Sequence, residues 1–188
     1  TNYNIIAGDS SACIQLDKSD GASSITVDGL PDWLTYNSNG DGGCDISGNI
    51  PQDTTTSSTY NVLLTRYYPA GGFIREATPI NLIAPPIITF PYAGTDTSKN
   101  NVFVIAPPDY GSRTYLTASP LLTVQAKNIP TSFAISGLPT GLSIDSQGRV
   151  IGTTNDPAGT YEVTVTATNL AGTSAPANFS IEIRDTIP

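Results

Sequence analysis

Histidine is absent from the 188 residues. That removes the commonest general base, the commonest zinc ligand and every Ser-His-Asp or Cys-His device for hydrolysis. Basic residues are nearly as scarce: eight Lys and Arg face sixteen Asp and Glu, for a net charge of −8. Nucleic-acid affinity comes largely from clustered Lys and Arg, so eight scattered ones argue against nucleic acid as a partner. Residues 1–84 carry nine acids and three bases, and residues 85–188 seven and five, so the halves stand at −6 and −2. No apolar run approaches the roughly 18 residues that a membrane-spanning helix needs, so no membrane insertion is expected.

Cysteine occurs twice, at Cys13 and Cys44. Neither lies in a CxxC arrangement, so redox catalysis and a zinc site lack support. In an oxidising compartment the two would pair; two buried free thiols are the alternative. The chain begins at Thr1 without Met, as expected of a processed protein, an excised fragment or one that lost its initiator.

What the chain has in quantity is Thr, Ser, Asn, Gly and Pro, which suits short strands joined by many turns. Tyr161, Val163, Val165 and Ala167 alternate with Glu162, Thr164, Thr166 and Thr168, predicting a strand with one face in water. Asp156-Pro157-Ala158-Gly159 before it and Asn169-Leu170-Ala171-Gly172 after it supply turn chemistry. Phe179, Ile181 and Ile183 make a second alternating strand.

The chain repeats itself. Ile25 and Val27 lead into Gly29-Leu30-Pro31 as Phe133 and Ile135 lead into Gly137-Leu138-Pro139, an offset of 108 positions. From Tyr60 onward the offset is 101: Tyr60 with Tyr161, Val62 with Val163, Ala70-Gly71 with Ala171-Gly172, Ile80 with Ile181. Repeats of this length imply two sandwiches in series. The paired prolines of Ile83-Ala84-Pro85-Pro86-Ile87 mark the junction, because they stiffen the chain and stop strand pairing across it. Residues 87–118 have no equivalent in the first copy. They are either extra strands of the second sandwich or an arm that pairs with a neighbouring molecule.

The wording of Gly137 to Asn169, GLPTGLSID followed by GRVIGT and PAGTYEVTVTATN, resembles the immunoglobulin-like and dystroglycan-type cadherin-like repeats of bacterial surface and phage structural proteins. The resemblance implies an all-β chain of two tandem immunoglobulin-like (cadherin-like) β-sandwich domains. Their expected bounds are 1–84 and 85–188, the second with an insertion at about 87–118. It also implies a non-enzymatic structural or binding module on an exterior surface, an adhesin-type spacer or contact domain. The alternatives are a virion decoration protein and a carbohydrate-binding module of a secreted enzyme. Partners would be a protein or glycan surface, other copies of the chain, or a particle shell. In the cadherin-like branch Trp33, after Gly29-Leu30-Pro31, would anchor the core. The closing Ile183-Arg184-Asp185 resembles a repeat's exit linker, in which an Asp serves a calcium site.

Two stretches carry candidate site residues. Asn37-Ser38-Asn39-Gly40-Asp41-Gly42 opens with the spacing of a calcium loop, but position twelve is Gly48 where such loops have a bidentate Glu. A glycine-rich hairpin loop is the plainer reading; if calcium is bound, Asn37, Asn39, Asp41 and Asp45 are the ligands. No other cofactor is expected. Tyr67-Tyr68-Pro69 occupies the turn where the second copy has Thr168-Asn169-Leu170. With Tyr110 these tyrosines could stack on a sugar or anchor a protein contact, or simply pack against the neighbouring domain.

Overall fold

The computed structural model describes residues 2–38, 44–89, 102–105, 115–116 and 121–184. Among these there is no helix; every regular element is a strand. The chain divides into two compact units, Thr1–Ala84 and Pro85–Pro188.

The first unit contains β1 (Tyr3–Ile6), β2 (Ala12–Ile14), β3 (Ser24–Asp28), β4 (Leu34–Tyr36), β5 (Ile46–Gly48), β6 (Ser58–Tyr67) and β7 (Phe73–Ile83). One sheet runs β1-β7-β6-β3 and the other β2-β5-β4. All pairings are antiparallel except that of β1 with β7. Alternation puts Ile25, Val62, Leu64, Ile80 and Leu82 inward from the first sheet, against Ile14, Leu34 and Ile46 of the second. Trp33 packs on this core with its ring edge-on to Tyr60, centroids 5.5 Å apart. The Tyr36 hydroxyl crosses between the sheets to donate to the Ile25 carbonyl at 2.7 Å.

The second unit contains β8 (Ile87–Thr89), β9 (Val102–Ile105), β10 (Tyr115–Leu116), β11 (Leu122–Thr123), β12 (Gln125–Lys127), β13 (Ser132–Ser136), β14 (Leu142–Ile144), β15 (Arg149–Thr154), β16 (Gly159–Asn169), β17 (Gly172–Thr173) and β18 (Ala177–Ile183). Its main sheet runs β13-β16-β18-β9, with β9 parallel to β18; β10, β11 and β14 pair with β15, and β8 with β12. The alternation of β16 is as the sequence predicts: Val163, Val165 and Ala167 are buried, while Glu162 and the threonines lie on the wet side.

The two units share one register. Ser24 faces Tyr67 across β3 and β6, as Ser132 faces Thr168 across β13 and β16. Leu34 faces Gly48, as Leu142 faces Gly152. Tyr3 and Ile5 face Ile80 and Leu82 across the parallel pair, as Phe103 and Ile105 face Ile181 and Ile183. Residues 87–118 therefore do have a counterpart in part: β9 stands where β1 stands. The described strands of this stretch all pair within the second unit.

The shared register also explains a glycine. A Cβ on Gly48 would lie 1.9 Å from the carbonyl oxygen of Trp33, and one on Gly152 would lie 2.1 Å from that of Gly141. Position twelve of the supposed calcium loop is thus glycine because β4 and β5 approach too closely there for any side chain.

Candidate contact surface

The β6–β7 hairpin pairs without a gap from Ser58↔Leu82 to Tyr67↔Phe73, and residues 68–72 close it with hydrogen bonds between Tyr68 and the glycine pair. Residues directly opposite share a face. The outward side of β6 therefore carries Leu63, Thr65 and Tyr67, with Thr65 buried between the other two, flanked by Phe73, Arg75 and Ala77 on β7 and by Ser24, Thr26 and Asp28 on β3. Phe73 is 58% exposed, Tyr67 39% and Leu63 36%. The rings of Tyr67 and Phe73 lie 6.2 Å apart, tilted by 49°, and the Arg75 guanidinium sits 5.1 Å over the Phe73 ring.

The second unit has the same surface with different chemistry. Thr168 and Thr173 replace the Tyr67 and Phe73 pair and share a hydroxyl hydrogen bond of 2.9 Å. Thr164 stands in place of Leu63 and donates to Asn178 at 2.8 Å; beside it Ser180 donates to Glu162 at 3.0 Å. One backbone carries a hydroxyl and carboxylate face in one copy and an aromatic, aliphatic and guanidinium face in the other.

Tyr68 is placed differently from its neighbour. It points away from Tyr67, and its hydroxyl donates to Oδ2 of Asp20 at 2.9 Å. That bond holds the Asp20 carboxyl below its ordinary range and pushes the Tyr68 phenol above its own. Sequence reasoning grouped the adjacent Tyr67 and Tyr68; the register instead joins Tyr67 to Phe73, Leu63 and Arg75, which that reasoning missed. Counting back from the hairpin turn, three residues on each side, would have paired Tyr67 with Phe73.

Asp45 is not disposed as a calcium ligand. It is buried; its Oδ2 accepts the Leu16 N–H at 2.8 Å and its Oδ1 accepts the Lys18 ammonium. Burial raises its pKa, but the hydrogen bonds from Lys18 and Leu16 outweigh that and hold it below the ordinary value. An ammonium already on the carboxylate opposes a second cation. Asn37 donates its N–H to the Asp45 carbonyl at 2.7 Å. Asn39, Asp41, Tyr110 and Asp185 lie outside the described residues. Among the described residues no three His, Cys, Asp or Glu side chains cluster as metal ligands, and no helix is long and apolar enough to cross a membrane. Beside Asp45, Cys44 is joined to Cys13 by a disulfide, with Cα atoms 5.3 Å apart.

Sheets packed about one apolar core in each unit, with a parallel pair that joins an early strand to the last (β1 to β7, β9 to β18), define an immunoglobulin-like structural or binding module. The family described as "Putative Ig domain" matches residues 86–184, and the chain belongs to it. No curated protein sequence matches. Among solved structures, the human desmocollin-1 ectodomain aligns over 98% of this chain and 38% of its own, at 12% identity and a TM-score of 0.47. A Bacteroides fragilis protein described as a putative alpha-galactosidase aligns over 53% of this chain at 24% identity and a TM-score of 0.38. This chain spans only 18% of that one. Fibronectin(III)-like modules of Clostridium thermocellum CbhA align over 97% of this chain and 90% of theirs, at 14% identity and a TM-score of 0.33. Scores this low carry nothing of those proteins' activities to this chain.

Proposed function

We propose that the chain is a non-enzymatic contact module displayed on an exterior surface, an adhesin-type spacer whose working face is the outward side of β6 and β7. The observation that carries this reading is the contrast between equivalent faces: Leu63, Tyr67 and Phe73 stand exposed where the second unit has Thr164, Thr168 and Thr173. Aromatic residues and Arg are the types enriched where proteins meet. The Cys13–Cys44 bond supports an oxidising exterior compartment, since disulfides are rare in reducing cytosol. Stacking on a glycan is less well supported, because Tyr68 is turned to Asp20 and the 49° tilt of Tyr67 and Phe73 gives no flat platform.

The test is made on the native source. Protease shaving of intact cells or particles, followed by non-reducing peptide mapping, should release this chain with Cys13 linked to Cys44. Recovery only from the cytosol, with both thiols open to alkylation, would sink the reading. Release in a fixed ratio with a large particle would transfer the same module to a virion surface.

A further inference from the structure

A hollow of about 510 Å³ opens in the second unit beside β12, the end of β8 and the turn that joins β14 to β15. That volume is ordinary for a small-molecule site. Phe133 and Val124 give the hollow an apolar wall, and Thr89, Thr123, Gln125, Lys127, Ser146 and Gln147 line most of the rest. Among the described residues none of these six polar side chains makes a hydrogen bond or an ion pair. The hydroxyls on the wet side of the main sheet behave otherwise: Thr164 bonds Asn178, Thr168 bonds Thr173 and Ser180 bonds Glu162.

The shared register explains the opening. Ile14 faces Ile46 as Leu122 faces Val150, so Lys18 and Asp45 of the first unit correspond to Ala126 and Arg149 of the second. In the first unit the Lys18 ammonium reaches across to Asp45, whose other oxygen accepts the Leu16 N–H. In the second, Ala126 has no long side chain to cross, and Arg149 turns to Asp145 at 2.6 Å. The Val124 N–H, in the place of Leu16, goes instead to the Gly148 carbonyl at 2.7 Å. The turn that carries Ser146 and Gln147 is firmly held, because Asp145 accepts the N–H groups of Gln147 and Arg149, each at 2.9 Å. Gly148 lies close under the wall: a Cβ there would stand 3.1 Å from the Phe133 ring and 2.4 Å from the Val124 carbonyl oxygen.

We propose that this hollow binds one ring of an acidic glycan, a sugar that carries a carboxylate. Amides and hydroxyls supply both donors and acceptors, as sugar hydroxyls require. The Phe133 and Val124 wall suits the C–H face of a pyranose. Lys127 is the one charged side chain in the lining, and no acid stands beside it there to repel an anion. A single ammonium among neutral groups suits one carboxylate and is too little for the several charges of a nucleotide. The site belongs to the second unit and is independent of the β6 face.

The experiment is titration of the isotope-labelled full chain, followed by amide chemical shifts. The probes are the trisaccharides of galacturonate, glucuronate and mannuronate, with those of galactose, glucose and mannose as neutral counterparts. At least one uronate should move the amides of Gln125, Ala126 and Gln147 saturably, and its neutral counterpart should bind about tenfold more weakly. Lys127→Gln should bring the uronate down to the level of the neutral sugar, and Gln125→Ala with Gln147→Ala should weaken both by about tenfold. These three positions are exposed, so the variants should fold, which unchanged shifts in β16 and β18 establish. Phe73→Thr in the first unit should leave binding as it is. The proposal is overturned if no uronate gives a saturable shift, if the shifts fall in the first unit, or if Lys127→Gln leaves uronate binding intact. None of these outcomes bears on exterior display, which shaving of the native source decides separately.

Discussion

The Tyr68 hydroxyl donates to Asp20 across the mouth of the first unit, and at the equivalent place in the second Asn169 donates its amide to the Asn128 carbonyl at 2.8 Å. The loop before β3 or β13 is thus tied to the hairpin that follows β6 or β16, by different chemistry in each copy. In the first copy the tie titrates. Because the hydrogen bond to the Asp20 carboxylate disfavours loss of the phenolic proton, Tyr68 should ionise above the ordinary tyrosine range. Ultraviolet titration of Asp20→Asn should move that ionisation back down; an unchanged midpoint would show that the bond is not made in solution.

Asp45 should make the first unit sensitive to acid. Its folded pKa is depressed, so its contribution is present above the unfolded value, about 4, and is lost as pH falls through the folded one. Asp45→Ala leaves the buried Leu16 N–H without an acceptor and should cost about 2–3 kcal/mol at neutral pH. Chemical denaturation between neutrality and pH 2 should show the gap between variant and parent narrowing in acid.

The Cys13–Cys44 bond closes a separation of 31 positions. On the chain-entropy account this contributes roughly 3–4 kcal/mol. Replacing both cysteines by serine should shift the urea midpoint of the first unit down accordingly and leave the second unit's β16 and β18 amides protected from hydrogen exchange.

Gly48→Ala and Gly152→Ala should each be severe, because the added methyl meets a backbone oxygen that cannot move without parting two strands. A loss of about 3 kcal/mol or more is expected from each, read by denaturant unfolding. A loss below about 1 kcal/mol would mean that β4 and β5, or β14 and β15, yield more easily than their register suggests.

Ile129 should be improvable. It has φ of 49° and is 85% exposed, three residues before β13, where the first unit has Gly21 at φ of 79°, three residues before β3. A β-branched side chain is strained in this left-handed region and buries nothing in return. Ile129→Gly should raise stability by about 0.5–1 kcal/mol in thermal unfolding. A loss of stability would show that the side chain has a partner in solution.

Much of the architecture was legible because its signals are local. Alternation in Tyr161 to Ala167 named the buried face, and the two offsets of 108 and 101 positions reappear in the paired registers of β3 with β6 and β13 with β16. The kinship of Phe103 with Tyr3 was not legible. The parallel pairs that reveal it join residues nearly eighty positions apart, and nothing in either short strand signals its partner.

The contact face shows the same division. The sequence by itself placed Tyr67 and Tyr68 at a turn, but adjacent residues on a strand leave it in opposite directions, so only pairing could separate them and bring Phe73, Leu63 and Arg75 to Tyr67. Composition determined that this chain would be built of strands and would lack histidine chemistry. Tertiary structure decided that Asp45 serves Lys18 and Leu16, that Cys44 reaches Cys13, and that one of two equivalent faces exposes Leu63, Tyr67 and Phe73. Each of these depends on which distant residue arrives opposite, and sheet register, set by the whole core, controls that.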